Sequence, residues 1–137
     1  MPLARAALSE ADRRFIIGRS GGCCNKCKTP VFIENEFGER ARLGDDAHIW
    51  AYSPGGPRGK ELGAPADPND SKNIILLCKN CHAEVDAQPL KFTPAVLTAM
   101  REAHYEWISQ ALGHDPVPKP RFHHLVYLNI PRLDMYA

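Results

Sequence analysis

The stretch at residues 73–82, NIILLCKNCH, decides the fold of this chain. Its four consecutive apolar residues predict a short buried strand, and a Cys-x-x-Cys pair follows that strand at once. Two cysteines at this spacing form a turn that directs both sulfurs toward one point, as zinc sites require. The stretch therefore predicts a strand that leads directly into half of a metal site.

A second Cys-x-x-Cys pair, Cys24 and Cys27, lies about fifty residues before the pair Cys78 and Cys81. Four thiolates satisfy the tetrahedral coordination that Zn²⁺ prefers in structural sites. Cys23 could take the place of Cys24 as the partner of Cys27, at a wider spacing. Cys24 is the preferred ligand, and Cys23 is then a buried or free thiol. A redox dithiol is the alternative, which two pairs without a βαβ pattern disfavour. We expect a structural zinc on the four cysteines.

Length and composition exclude several classes of protein. A chain of 137 residues with 44% hydrophobic and 24% charged residues predicts one globular domain. No apolar run approaches the roughly 20 residues that span a bilayer, and the odd number of cysteines favours a metal over disulfides. We therefore expect no membrane association and a cytoplasmic location. The formal charge of +1 does not by itself indicate a nucleic-acid partner.

Hydrophobic patterns and turn residues predict an α+β chain. The predicted elements are a helix at 9–19, a strand at 31–33, a strand within 43–52, a strand at 74–77 and a helix from 93 to 113. Pro and Gly between 53 and 73 predict a long loop. Residues 114–137 predict a proline-rich linker and a C-terminal extension with one short strand, which contacts a partner or a missing domain.

Residues on both sides of this loop suit phosphodiester hydrolysis, which needs a base and a cation. His48 ends an aromatic, β-prone stretch, and its neutral imidazole can take a proton from water at cellular pH. His82 and Asp86 lie four positions apart, so a helix that starts at the second cysteine pair presents both on one face. Together they predict a catalytic divalent cation, Mg²⁺ or Mn²⁺ first, with other first-row ions as alternatives.

Three more polar residues have predicted roles around the same loop. The amide of Asn73 can bridge backbone groups across the loop and so hold the strand that carries His48. Arg58 offers a fork of donors to a phosphate oxygen, and Lys60 adds a positive charge nearby. We expect Arg58 and Lys60 to grip a DNA backbone.

These residues resemble the HNH family of ββα-metal, or His-Me finger, endonucleases, in its zinc-containing bacterial subgroup. The family name lists three positions, which His48, Asn73 and His82 match here. The likeness covers roughly residues 15 to 110 and runs through DAHI at 46–49, SPGGPR at 53–58, the segment 73–86 and a trailing helix with His104 and Trp107.

The resemblance implies a small ββα-metal core over residues 1–113, stapled by the four-cysteine zinc site and flanked by helices. It implies that His48 is the general base, that Asn73 orients the loop and that His82 binds the catalytic metal. Relatives often carry a metal-binding Asp or His where this sequence has Ala47.

Asp86 is the replacement ligand that we expect for the position of Ala47, ahead of Asp46. The implied function is a metal-dependent endonuclease that hydrolyses phosphodiester bonds in DNA, as a bacterial antiphage defence or restriction effector. Similar modules are joined to sensor domains, so a regulatory or sensor protein is a second expected partner, and the oligomeric state stays open. The alternative is a catalytically impaired, zinc-stabilised nucleic-acid-binding module, which Ala47 favours.

Overall fold

The structure, a computed structural model, describes residues 7–113. The predicted linker and extension at 114–137 lie outside these residues. The elements are α1 (Glu10–Ser20), β1 (Phe32–Glu34), β2 (Arg40–Arg42), β3 (Gly44–His48), β4 (Ile74–Cys78), α2 (Lys79–Ala87) and α3 (Pro94–Ala111), with a 3₁₀ turn at Ser71–Asn73 before β4. The fold is α+β, as the sequence predicts. Within 7–113, no helix has the length and apolar character needed to cross a membrane.

Strands β3 and β4 form an antiparallel sheet that positions the site. Gly44 lies opposite Cys78, and His48 lies opposite Ile74. Because side chains alternate along a strand, Asp45 and Ala47 share one face of β3, and the opposite face carries His48. β4 ends at Cys78, and α2 begins at the next residue without a connecting loop.

Helices cover both faces of this sheet, so β4 is buried on each side. On one face, Ile75 and Leu77 of β4 pack with Val85 of α2 in one apolar cluster. On the other face, Ile74 packs with Ile16 of α1 in a second cluster. The unbroken apolar run of β4 is therefore the pattern of a strand buried on both faces, rather than of a half-exposed one.

The helix boundaries follow from capping chemistry. The hydroxyl of Ser9 accepts a hydrogen bond from the backbone N–H of Asp12 at the start of α1. Gly21, with φ of 60°, ends α1 in the left-handed conformation.

The sequence places Phe15 and Ile16 on one side of α1, but the structure buries Ile16 and leaves Phe15 54% exposed. Successive helical residues point about 100° apart, so only one of the two reaches the sheet.

Strands β1 and β2 form an exposed hairpin beside the core, of which the sequence predicts only the first strand. Asn35 builds the turn, because its side-chain oxygen accepts from the backbone N–H groups of Phe37 and Glu39. The hairpin returns the chain to Gly44. A β-carbon at Gly44 would lie 1.8 Å from Val31 Cγ1, so β3 packs too closely here for any side chain.

Candidate functional site

Four cysteines from two distant segments meet at one end of the β3–β4 sheet. The sulfur atoms of Cys24, Cys27, Cys78 and Cys81 all lie within 4.8 Å of one another. The Cys27 and Cys78 sulfurs are 3.7 Å apart, close to the edge of about 3.8 Å that a tetrahedron with Zn–S bonds of about 2.3 Å requires. The predicted cluster is confirmed, and Cys24 rather than Cys23 belongs to it. The Cys23 thiol instead donates to the carbonyl of Gly21.

The ionisation of these thiols indicates that the cluster suits a cation. Burial raises the pKa of Cys24 and, together with its sulfur neighbours, the pKa of Cys81. Burial also acts to raise the pKa of Cys27, but hydrogen bonds from Thr29 outweigh it and lower that pKa to about 6. A cation at the centre stabilises all four thiolates at once, which their mutual repulsion otherwise opposes.

A second cluster lines a cavity of about 780 Å³ next to β3. The structure brings His48, His82 and Asp86 to this one cavity, although 38 residues separate the first from the last. His82 and Asp86 both come from α2 at i,i+4 spacing, and His48 comes from the end of β3. The cavity therefore combines a histidine of the sheet with a histidine and a carboxylate of the helix.

His82 lies between two carboxylates. Its Nδ1 is 3.0 Å from Asp45 Oδ2, and its Nε2 is 3.1 Å from Asp86 Oδ2. Burial acts to raise the pKa of Asp45, but hydrogen bonds and charges from Lys79 and His82 outweigh it, so its pKa lies below the ordinary value. Asp45 is thus held ionised, and each ring nitrogen of His82 faces one carboxylate.

Sequence reasoning missed Asp45 and considered its neighbours instead. Ala47 is 2% exposed and packs in the core beneath α2, so a carboxylate at that position would be buried among apolar groups. Asp45 lies two residues earlier on the same face of β3. At this position the apolar core ends, and the carboxylate contacts the His82 ring. Asp46 points to the other face and pairs with Arg42 at 2.9 Å. The two-residue period of a strand is the signal that identifies Asp45.

His48 is fixed by residues of the long loop. Its Nε2 is 3.0 Å from the side-chain oxygen of Asn69, and the ring of Tyr52 meets it edge to face at 5.9 Å between centroids. A neutral imidazole that donates from Nε2 to this amide oxygen carries its lone pair on Nδ1. These contacts hold the ring at the end of β3.

Asn73 is buried and joins the two ends of the long loop. Its side-chain oxygen accepts from the Trp50 N–H at 2.8 Å, and its amide nitrogen donates to the carbonyls of Trp50 and Pro68. Its own carbonyl accepts from the Ile49 N–H at 2.8 Å. These bonds hold the chain that leaves His48 against the start of β4.

Arg58 occupies a different place from the one that the sequence indicates. Its side chain is only 2% exposed, and its guanidinium donates to the carbonyls of His48, Ile49 and Val85 and to Asp86 Oδ1 at 2.9 Å. These acceptors use most of the N–H donors of Arg58, although the residue also lines the cavity, and its contact with a phosphate stays a prediction. In the structure, Arg58 clamps the end of β3 to the end of α2.

Other basic side chains line the cavity. Arg13 and Arg42 flank Asp46 there with side chains 37% and 39% exposed, and Lys79 pairs with Asp45 at 2.6 Å. Lys60 is exposed and is not among the residues that line the cavity. Among the described residues, the basic side chains that line the cavity thus come from α1, β2 and α2, and from the loop through the buried Arg58.

Comparisons with known proteins give no family for this chain. Neither a scan of protein-family models nor a search of curated proteins found a match. The resemblance to HNH endonucleases accordingly depends on the residues and motifs themselves. The geometry described above supplies the physical argument for function.

Proposed function

We propose that this chain is a metal-dependent endonuclease of the HNH type that hydrolyses phosphodiester bonds in DNA. One observation carries the proposal: His48, His82 and Asp86 line a single cavity, with a carboxylate on each side of the His82 ring. The order β3, β4, α2 is also the strand, strand, helix order of a ββα-metal core. We assign residues 1–113 to this nuclease domain.

The ligand geometry fits a divalent cation. In octahedral coordination with bonds of about 2.1 Å, neighbouring ligands lie about 3.0 Å apart. His82 Nε2 and Asp86 Oδ2 are 3.1 Å apart. Both atoms present lone pairs when His82 carries its ring proton on Nδ1 and donates it to Asp45. These two atoms would hold Mg²⁺ or Mn²⁺, with Asp45 as the carboxylate that orients the ligating histidine. A bound cation supplies charge neutralisation on the phosphate and on its leaving oxygen.

His48 acts as the general base in this proposal. The hydrogen bond to Asn69 keeps the ring proton on Nε2, so Nδ1 takes a proton from the attacking water. The water oxygen then bonds to phosphorus, and the bond from phosphorus to the leaving oxygen breaks. Asn73 and Arg58 act through position, because they fix the backbone on either side of His48.

Arg13 and Arg42 are further proposed contacts to the DNA backbone. Both line the cavity, and both keep more than a third of the side chain exposed. They share the carboxylate of Asp46, and Arg13 also lies 3.9 Å from the exposed Glu10. A phosphate anion is the ligand that such an arginine pair favours.

We infer that the four-cysteine cluster holds Zn²⁺ and is structural. Thiolates are soft ligands that select zinc among abundant divalent cations, whereas imidazole and carboxylate also accept Mg²⁺ or Mn²⁺. All four tetrahedral positions come from the protein, so no position is left for water or substrate. The two ligand sets would therefore take two different ions.

The test is plasmid cleavage by the zinc-loaded protein with added Mg²⁺ or Mn²⁺ at low salt. We expect cutting that needs the added cation and that falls by roughly 10²- to 10⁴-fold in His48→Ala, because proton transfer by a positioned base contributes about that much. His48→Ala purified in the same way also controls for contaminating nuclease. Equal cutting by both proteins contradicts the proposal, and DNA binding without cleavage supports the impaired binding module instead.

A further inference from the structure

A second cavity of about 300 Å³ opens between α1, α3 and the turn at 71–73. Two aromatic rings, Phe15 and Tyr105, and three basic side chains, Arg19, Lys72 and Arg101, are among the residues that line it. Its volume is at the lower end of the range for small-ligand pockets. The combination of rings and cations indicates a planar, anionic ligand.

The rings and cations are arranged around one wall. The guanidinium of Arg19 lies 5.1 Å from the centroid of the buried Tyr105 ring, so the cation already rests over an aromatic face. Phe15 precedes Arg19 by one helical turn on α1 and is 54% exposed. An exposed aromatic ring next to a guanidinium is the surface on which a nucleobase stacks.

Two of the three cations have no carboxylate partner within residues 7–113. Arg101 is engaged, since its guanidinium pairs with Glu102 at 2.9 Å and donates to the carbonyl of Lys72. In the same part of the chain no ion pair involves Arg19 or Lys72. The pocket therefore carries uncompensated positive charge, which attracts a phosphate.

The second cavity is a direct neighbour of the first. Asn69 lines the His48 cavity, and Ser71, only two residues later, lines the second one. One short segment, 69–72, therefore lines both cavities, so a strand bound at the first can extend toward the second.

We propose that the second cavity binds a nucleotide of the DNA substrate that flanks the segment held in the His48 cavity. Arg19 and Lys72 contact its phosphate, and Phe15 stacks on its base. This inference rests on the proposed function, because it takes DNA as the substrate. It assigns binding outside the cavity of His48 and requires no chemistry at the second cavity.

The test measures binding of a fluorescent DNA oligonucleotide to the full, zinc-loaded chain by anisotropy, without Mg²⁺ or Mn²⁺. We expect the double variant Arg19→Gln/Lys72→Gln to raise Kd by roughly tenfold or more and to reduce the slope of log K against log salt by about 1, since the one phosphate that both side chains contact contributes about 0.9. Phe15→Ala should raise Kd without changing that slope, because stacking releases no counterions.

Arg14→Gln is the matched control. It removes one positive charge from the helix that also carries Arg19, at a side chain that is 78% exposed, and it should change Kd less than twofold. Thermal melts of every variant exclude unfolding as the cause. If the double variant binds like Arg14→Gln, or if the parent chain does not bind DNA, the inference is overturned. If the double variant weakens DNA binding but the parent chain cleaves DNA under no condition, the inference about the second cavity holds and the proposed catalytic activity is wrong.

Discussion

The two ligand clusters on α2 differ in chemistry and in access. The helix begins at the cysteine cluster, to which Cys78 and Cys81 belong, and continues along the second cluster through His82 and Asp86. The cysteines offer four soft ligands that complete a tetrahedron by themselves. His82 and Asp86 offer harder ligands in an open cavity, with side chains 29% and 38% exposed. The first arrangement suits a permanent ion, and the second suits an ion that also meets substrate.

The two clusters are also supported differently. At the cysteine end, the Asn25 N–H donates to the Leu76 carbonyl at 2.8 Å, so a backbone hydrogen bond ties the first cysteine turn to β4. At the other end, the long loop is held by two buried polar side chains, Arg58 and Asn73. Loss of the cysteine cluster should thus unfold the chain, whereas loss of the other ligands should remove activity.

Cys81→Ser should have the largest effect. It removes one ligand of a site whose metal contributes folding free energy, about 10–16 kcal/mol for zinc-finger peptides, so we expect loss of bound zinc and of a cooperative thermal transition. Cys23→Ser is the matched control and should keep about one zinc per chain, because Cys23 lies outside the cluster. Metal analysis and circular dichroism melts check both variants. Retention of zinc by Cys81→Ser and its loss from Cys23→Ser would reverse the ligand assignment.

Arg58→Met should have the next largest effect. It leaves the buried carbonyls of Ile49 and Val85 without their donor, so we expect a loss of about 3–5 kcal/mol in unfolding free energy and a deep loss of cleavage, with zinc retained. Lys60→Met removes a charge from the exposed loop and should change unfolding free energy by less than about 0.5 kcal/mol. Urea melts measure both changes. Unchanged stability with weakened DNA binding in Arg58→Met would support the phosphate-contact prediction.

Asp45→Asn should have the smallest effect on the fold and act on the second cluster alone. Removal of a carboxylate that orients a ligating histidine typically lowers metal affinity by about 10- to 100-fold. We therefore expect cleavage to need that much more Mn²⁺, with little change in zinc content or melting temperature. Asp46→Asn alters the adjacent carboxylate on the other face and should leave the Mn²⁺ requirement unchanged. Equal Mn²⁺ dependence in both variants would exclude the orienting role of Asp45.

The cysteine cluster and the pair on α2 could be predicted because their geometry is local. Cys-x-x-Cys turns and i,i+4 positions fix where side chains point whatever the rest of the chain does. The motif indicates the positions next to His48 as metal ligands. Asp45 is missed in this way, because the alternation of side chains along a β-strand decides which carboxylate faces the helix.

The burial of Arg58 could not be predicted for a different reason. Pro and Gly around it indicate an exposed loop, but its partners are carbonyls at the ends of β3 and α2, far apart in sequence. The pocket of Phe15, Arg19 and Lys72 could not be predicted either, because it exists only where α1, α3 and the turn at 71–73 converge. Long-range packing, rather than propensity, determines both features.

The direct passage from β4 into α2 has a consequence for how the sequence can vary. With no loop between them, the helix cannot adjust its phase, and each residue turns it by about 100°. One residue inserted between Cys81 and His82 would keep the sulfur cluster and rotate His82 and Asp86 out of the cavity. The two clusters therefore share one fixed helical phase, so we expect insertions that preserve both to be tolerated in the loop or the hairpin and not between Cys78 and Asp86.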